Sequence, residues 1–248
     1  MYVVRRPLLA AAVYAFVGCS GQRDGSQLPN TLSRDELSAG WQLLFDGVTM
    51  SGWKAYGSGE FPSGGWQAGE GTLRAGATGD STAPRGDIVT VAEFDNFELS
   101  LEFMITPVAN SGVFYRVVET PGLALWSVAP EFQVLDGPAY VDMDGFDTTT
   151  HLTGDNYDLH ASRVRNTLPI GEWNHARIVV DGANVEHWLN GDLTVRYELW
   201  TPEWEALVAR SKFGPFAEYG RAERGRIGLQ DHDPGNVWYR NIKIRPIR

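Results

Sequence analysis

The stretch Pro130–Gly137, PEFQVLDG, alternates as a strand would. Phe132 and Val134 take one face, and Glu131, Gln133 and, by order, Leu135 take the other. A carboxylate and an amide two residues apart among apolar neighbours suit a polar cleft on a sheet face. Two further segments show the same parity. In GVFYR, Arg116 shares a face with Phe114; in GLQDHD, Gln230 and His232 lie opposite Leu229 and Asp231. One face of each sheet in a sandwich meets the core and the other is open. Arg116, Glu131, Gln133, Gln230 and His232 are therefore expected to converge on one concave face. There a carboxylate and an imidazole can take and give protons, and a guanidinium can hold developing negative charge. Each has a plainer reading: Arg116 as a cross-strand partner of Glu131, the glutamines as partners of backbone groups, His232 as a residue of the DHDPG loop. Asn110 in ANSG and Asp136 in LDG are further candidates whose default is a turn. Asp142, Asp144 and Asp147 in DMDGFD are spaced like part of a calcium loop but lack the full pattern ending in glutamate.

The elements that must position these groups are strands. FELSLEFMI puts Phe97, Leu99, Leu101, Phe103 and Ile105 on one face and Glu98, Ser100 and Glu102 on the other. HARIVVDGANVEHWLNGDLTVRYE reads as hairpins around Asp181-Gly182 and Asn190-Gly191. GRIGLQ and VWYRNIKIRP are the last two strands. One helix is expected from about Pro202 to Lys212, capped by Thr201, with Trp204, Leu207 and Val208 as its apolar stripe. The pattern predicts an all-β, two-sheet antiparallel sandwich of jelly-roll type with one short helix.

The 248 residues suit one large β domain, and 9 Trp, 9 Tyr and 11 Phe supply a sizeable core. A net charge of −10 argues against nucleic acid as a partner. There is no Gly-x-Ser-x-Gly elbow, phosphate loop, dinucleotide fingerprint or His-Glu-x-x-His run. At the N-terminus, Arg5 and Arg6 precede an apolar run from Leu8 to Val17 and then Gly18-Cys19. This layout is that of a secretory signal over residues 1–18. FVGC resembles a bacterial lipobox, with Phe16 where leucine is more usual. Cys19, the only cysteine, is the expected lipidation site. Ser20 resembles the outer-membrane sorting pattern. Residues 19–38 read as a polar tether and 39–248 as the folded domain, anchored by lipid in the bacterial cell envelope, at the outer membrane, with no other membrane contact.

LLFDGVTMSGW, GGWQAGEGTL, FDNFELSLEFMI, ANSGVFYR, PEFQVLD, GEWNHARIVVDGANVEHWLNG and GRIGLQDHDPGNVWYRNIKI follow one another in order. Together they resemble the 3-keto-disaccharide hydrolase domain family (DUF1080) over about residues 41–248. TGDNYDLH and SKFGPFAEYG resemble the subgroup with a longer connection before the final strands. The resemblance implies a concanavalin A-like jelly roll acting on glycosides whose sugar carries a ketone at C3, with a sugar 3-dehydrogenase acting upstream. A C3 ketone acidifies the C2 hydrogen. Its removal lets the enolate expel the C1 substituent, and water then adds. The base is Glu131 or His232, the acid Asp136 or His232, and the charge stabiliser Arg116 or a divalent metal; no cofactor is required by the sequence. Asn110, Gln133 and Gln230 bind sugar hydroxyls in this reading. Two other readings stand beside it: a paired-carboxylate hydrolase, and a noncatalytic carbohydrate-binding lipoprotein on the same sandwich.

Overall fold

The computed structural model describes residues 28–62, 64–76, 85–232 and 235–247. The signal segment, Cys19 and the first part of the tether lie outside the described residues. The strands are β1 (Gln42–Leu43), β2 (Trp53–Ala55), β3 (Trp66–Gly69), β4 (Thr72–Ala75), β5 (Ile88–Thr90), β6 (Phe97–Ile105), β7 (Asn110–Val117), β8 (Glu131–Leu135), β9 (Asn174–Asp181), β10 (Asn184–Leu189), β11 (Asp192–Glu198), β12 (Arg226–Leu229) and β13 (Val237–Pro246). One sheet has the order β11-β10-β9-β6-β13-β4-β3, with β1 also paired to β13; the other runs β2-β5-β12-β7-β8. All the pairings are antiparallel. This is the jelly-roll sandwich expected from the alternation.

Parity builds the core. Phe97, Leu99, Leu101, Phe103 and Ile105 of β6 are buried with Ala176, Ile178 and Val180 of β9, and with Tyr239, Ile242 and Ile244 of β13. Val113, Tyr115, Phe132 and Val134 of β7 and β8 complete that cluster from the smaller sheet. Truncating a buried phenylalanine such as Phe103 to alanine costs about 3–5 kcal/mol in such a core. Both expected hairpin turns form. Gly182 opens the β9–β10 loop at φ 58°, and Asn190 and Gly191 join β10 to β11 with φ of 51° and 93°. Two positive φ values in a two-residue loop match the twist of the flanking strands.

The expected helix is α3 (Pro202–Arg210): Thr201 Oγ1 accepts the Trp204 N–H at 3.2 Å, and Trp204 and Val208 are buried. Two short helices were not expected, α1 (Arg34–Ser38) and α2 (Gly137–Tyr140). α1 is held by a Ser33/Glu36 capping box. Just before it, Asn30 exchanges hydrogen bonds with Asn241 and reaches the Gly71 carbonyl. The end of the segment with tether-like composition is therefore docked on the larger sheet.

Candidate active site

β8 lies at the edge of the smaller sheet and pairs with β7 so that Asn110 faces Leu135, Gly112 faces Gln133 and Phe114 faces Glu131. The chain covers the other side of β8 with residues 153–157. Gly154 N–H donates to the Gln133 carbonyl, Gln133 N–H to the Asp155 carbonyl and Tyr157 N–H to the Glu131 carbonyl. Buried Asp155 fixes this segment, accepting the Leu152 and Ser162 N–H groups and pairing with Arg165. Past β12, Gln230 N–H donates to the Gly112 carbonyl and His232 bridges to Asn110.

These elements enclose a cleft of about 150 Å³ lined by Asn110, Trp126, Glu131, Gln133, Tyr157, Lys212, Gln230 and His232. Five of the sequence-derived candidates meet there: Asn110, Glu131, Gln133, Gln230 and His232. Glu131 is 4% exposed and its carboxyl accepts no hydrogen bond from any described residue. Burial drives its pKa up to about 8; the Lys212 charge opposes the rise and Asp87 adds to it. The carboxyl lies over Gly112, where a β-carbon would overlap it. Gln133 is buried, with its Oε1 accepting the Val134 N–H at 3.2 Å and its Nε2 3.5 Å from Asn110 Oδ1. Behind His232, Asp87 accepts the Asp231 N–H at 3.0 Å. Burial, with the Asp231 charge adding to it, pushes the Asp87 carboxyl up to about 6, against the pull of His232. Asp231 is fixed by Arg85 at 2.6 Å.

Two candidates lie elsewhere. Alternation would have placed Arg116 beside Phe114, but β7 bulges there: Phe114 pairs with Gly228 and Val117 with Arg226, and Arg116 has φ 55°. The extra residue carries the guanidinium away from the cleft. It bonds the Asp95 carbonyl and Asn96 Oδ1 and lies 5.5 Å over the Trp200 ring. It forms no ion pair with Glu131. Asp136 follows the end of β8, and its carboxylate accepts the Val108 N–H at 2.8 Å, serving a loop in which Val108 itself has φ 57°. Asp136 lines a separate groove of about 660 Å³ with Ile105, Leu135, Leu168 and Ile170. Asp147 caps its own turn, accepting the Thr149 N–H and the Thr150 hydroxyl. Among the described residues no three His, Cys, Asp or Glu side chains are grouped to hold a metal ion.

Trp126, Tyr157 and Lys212 join the cleft without having been expected there. Trp126 comes from a 3-10 turn, Leu125–Ser127, and nothing local marks it. Tyr157 and Lys212 fall within TGDNYDLH and SKFGPFAEYG, the two segments that resemble the longer-connection subgroup. The Tyr157 ring stacks 4.2 Å from His151, and burial pushes its hydroxyl up to about 12. The cleft thus combines a buried carboxyl, an imidazole, an ammonium, three amides and two aromatic rings.

Fold and cleft together define a jelly-roll sandwich with a polar cleft of a kind that suits a carbohydrate. A Bacteroides thetaiotaomicron protein named 3-keto-disaccharide hydrolase is 30% identical over 96% of this chain and 95% of its own. The chain belongs to the family described as 3-keto-alpha-glucoside-1,2-lyase-like, which matches residues 40–245. Two crystal structures of Parabacteroides distasonis proteins described as glycosyl hydrolases share the fold. One aligns with a TM-score of 0.79 at 30% identity, covering 89% of this chain and all (100%) of the other. The second has a TM-score of 0.63 at 28% identity, covering 84% and 99%.

Proposed function

We propose that this protein cleaves glycosides whose sugar bears a ketone at C3, by C2 proton abstraction and elimination followed by hydration. The observation that carries the proposal is Glu131: a buried carboxyl, without a hydrogen-bond partner among the described residues, opening on a polar cleft. A proton affinity near neutral pH suits a general base. The cleft is small, about 150 Å³, so only the keto-sugar ring is placed at it. The aglycone would then lie outside it.

In the proposed sequence the Glu131 carboxylate takes the C2 proton and the C2–H electron pair forms an enolate with C3. The enolate collapses, the C1–O bond breaks, and the leaving oxygen takes a proton from His232. Water then adds to the resulting 2-hydroxyglycal. His232 takes a proton from the water, the hydroxide so formed goes to C1, and the proton on Glu131 returns to C2, so both groups are restored and the net change is hydrolysis. Asn110, Gln133 and Gln230 bind hydroxyls, and Trp126 stacks on the ring. The substrate requires prior oxidation of a C3 hydroxyl, the work of a sugar 3-dehydrogenase. Lipidation at Cys19 would hold the domain at the cell envelope; C19S should move it from the detergent phase to the soluble fraction, and unchanged partitioning counts against the anchor.

The test is turnover of 4-nitrophenyl 3-keto-glucoside, with the 3-hydroxy glucoside as control. Release of nitrophenol from the keto form alone supports the reading. Equal rates on both forms point to a paired-carboxylate hydrolase, and binding without turnover to a carbohydrate-binding lipoprotein.

A further inference from the structure

Removal of the C2 proton leaves negative charge on the C3 oxygen, and Arg116 lies too far from the cleft to meet it. We propose that the Lys212 ammonium binds the C3 oxygen of the keto-sugar and carries the enolate charge. This assignment rests on the functional reading above and names the group that reading lacks.

Lys212 follows α3 and lines the same cleft as Glu131. Its Nζ lies 4.1 Å from the Tyr157 ring centroid, 4.9 Å from that of Trp126 and 5.3 Å from that of Phe213. Three aromatic faces hold a cation in place without using its N–H donors. The start of the stem is also fixed, because Lys212 N–H donates to Asp158 Oδ2 at 2.8 Å and Asp158 Oδ1 pairs with His151 at 2.9 Å. The chain has three lysines. Lys54 pairs with Glu119 and Lys243 with Glu36, whereas Lys212 forms no ion pair with a described residue. Its donors are left for a ligand.

The electrostatics agree with the geometry. Burial lowers the Lys212 pKa, and Glu131 and Asp158 pull it back up. On Glu131 burial raises the pKa, the Lys212 charge opposes the rise and Asp87 adds to it. In a ketone, the C3 oxygen and the C2 hydrogen sit on adjacent carbons, so a base and a cation sharing one small cleft can engage both at once. An ammonium with few competing waters is worth far more to a developing enolate than one in bulk solvent.

The discriminating substrate is the 3-ketone of 1,5-anhydroglucitol, which has no leaving group at C1. In deuterium oxide the wild-type protein should exchange its C2 hydrogen, followed by proton magnetic resonance. K212M should lose exchange by about 10²–10³-fold, as for loss of one charge-stabilising donor. KM for the nitrophenyl keto-glucoside should change far less than kcat. K212R should recover exchange to within about tenfold of wild type, a rescue that a purely structural role would not require. K212Q provides a second charge-free variant should K212M fold poorly, and melting of each is measured beside its rate. Exchange by wild type and the charge-free variants alike, or a rise in KM with kcat intact, overturns the assignment to Lys212 alone. Absence of both exchange and turnover in the wild-type protein overturns the functional reading and this proposal with it.

Discussion

Glu98 and Glu131 are the same residue type, both on strands, 7% and 4% exposed. Glu98 stands on the outer face of the larger sheet, where Arg177 and Arg245 both reach its carboxylate. Burial would raise its pKa, but those two hydrogen bonds more than offset it and leave the group below its ordinary value. Its neighbours follow the same plan. Glu102 pairs with Arg240, which covers Trp173; Arg177 covers Trp188; Arg245 covers Trp41. Glutamates, arginines and tryptophans thus close that face against each other. Glu131 has no guanidinium, and burial wins. Burial of a carboxylate by itself says little about function; burial without a cationic hydrogen-bond partner is what makes Glu131 the functional-site candidate.

The largest effect should come from E131Q. It keeps size and hydrogen-bonding reach but cannot take the C2 proton, so turnover of the keto-glucoside should fall about 10²–10⁴-fold. Wild-type kcat/KM should rise with pH as Glu131 ionises near pH 8, and the residual activity of the variant should lack that rise. Stability should move the other way. A carboxyl whose folded pKa is raised from 4.5 to about 8 contributes stability below the lower value that is lost as pH climbs through the upper one. Melting measured across that range should show E131Q gaining on wild type as pH increases. Turnover within tenfold of wild type would move the base to His232.

G112A tests the carboxyl's position rather than its identity. The new methyl group would overlap the Glu131 carboxyl and crowd its γ-carbon, so the whole buried side chain must shift. Displacement of about 1 Å can cost on the order of 10²-fold in rate. A drop of at least that size is the expected result, with a lower melting temperature from the crowding. Unchanged kinetics would show that the resting placement of Glu131 is not the reacting one.

How far this contrast is legible in the sequence depends on how regular each ladder is. In β8 and β6 a strict period of two places every side chain, so the alternation alone assigns Glu131, Gln133 and Glu98 to their faces. At Arg116 the bulge breaks the period, and no glycine announces the positive φ. At Asp136 the strand has already ended. Trp126, Tyr157 and Lys212 arrive on loops and a helix end, whose long-range destination local periodicity does not encode. α1 carries a legible signal, since Ser33-x-x-Glu36 is a capping signature, but it sits in a stretch whose polar composition suggests a tether.

E98Q is the counterpart of E131Q. It removes the charge that Arg177 and Arg245 share, and both guanidinium groups are about a third exposed, at 30% and 39%. A loss of about 1–2 kcal/mol, between the exposed and buried limits for ion pairs, is expected in denaturant melts. Turnover should stay within twofold. A catalytic defect here would show that the outer face is not independent of the cleft.

Arg116 gives the smallest expected effect and the sharpest check on the boundary between the two regions. It is a charged group, 4% exposed, like the two glutamates, but it belongs to neither setting. Its partners are a backbone carbonyl, an amide and the Trp200 ring, and its Nη1 is buried without a hydrogen-bond partner. Burial lowers its pKa, only partly opposed by Tyr197 and Tyr115. The charge is thus held at some cost, and an apolar side chain of similar length should fill the space about as well. Replacing a poorly compensated buried charge in this way is often neutral or stabilising. R116M should therefore melt within about 1 kcal/mol of wild type and turn over the keto-glucoside within about threefold. The two measurements separate the alternatives. A lower melting point with normal turnover means the carbonyl and amide bonds matter more than the unpaired nitrogen. Normal melting with a large fall in kcat would return Arg116 to the chemistry and require β7 to lose its bulge when substrate binds.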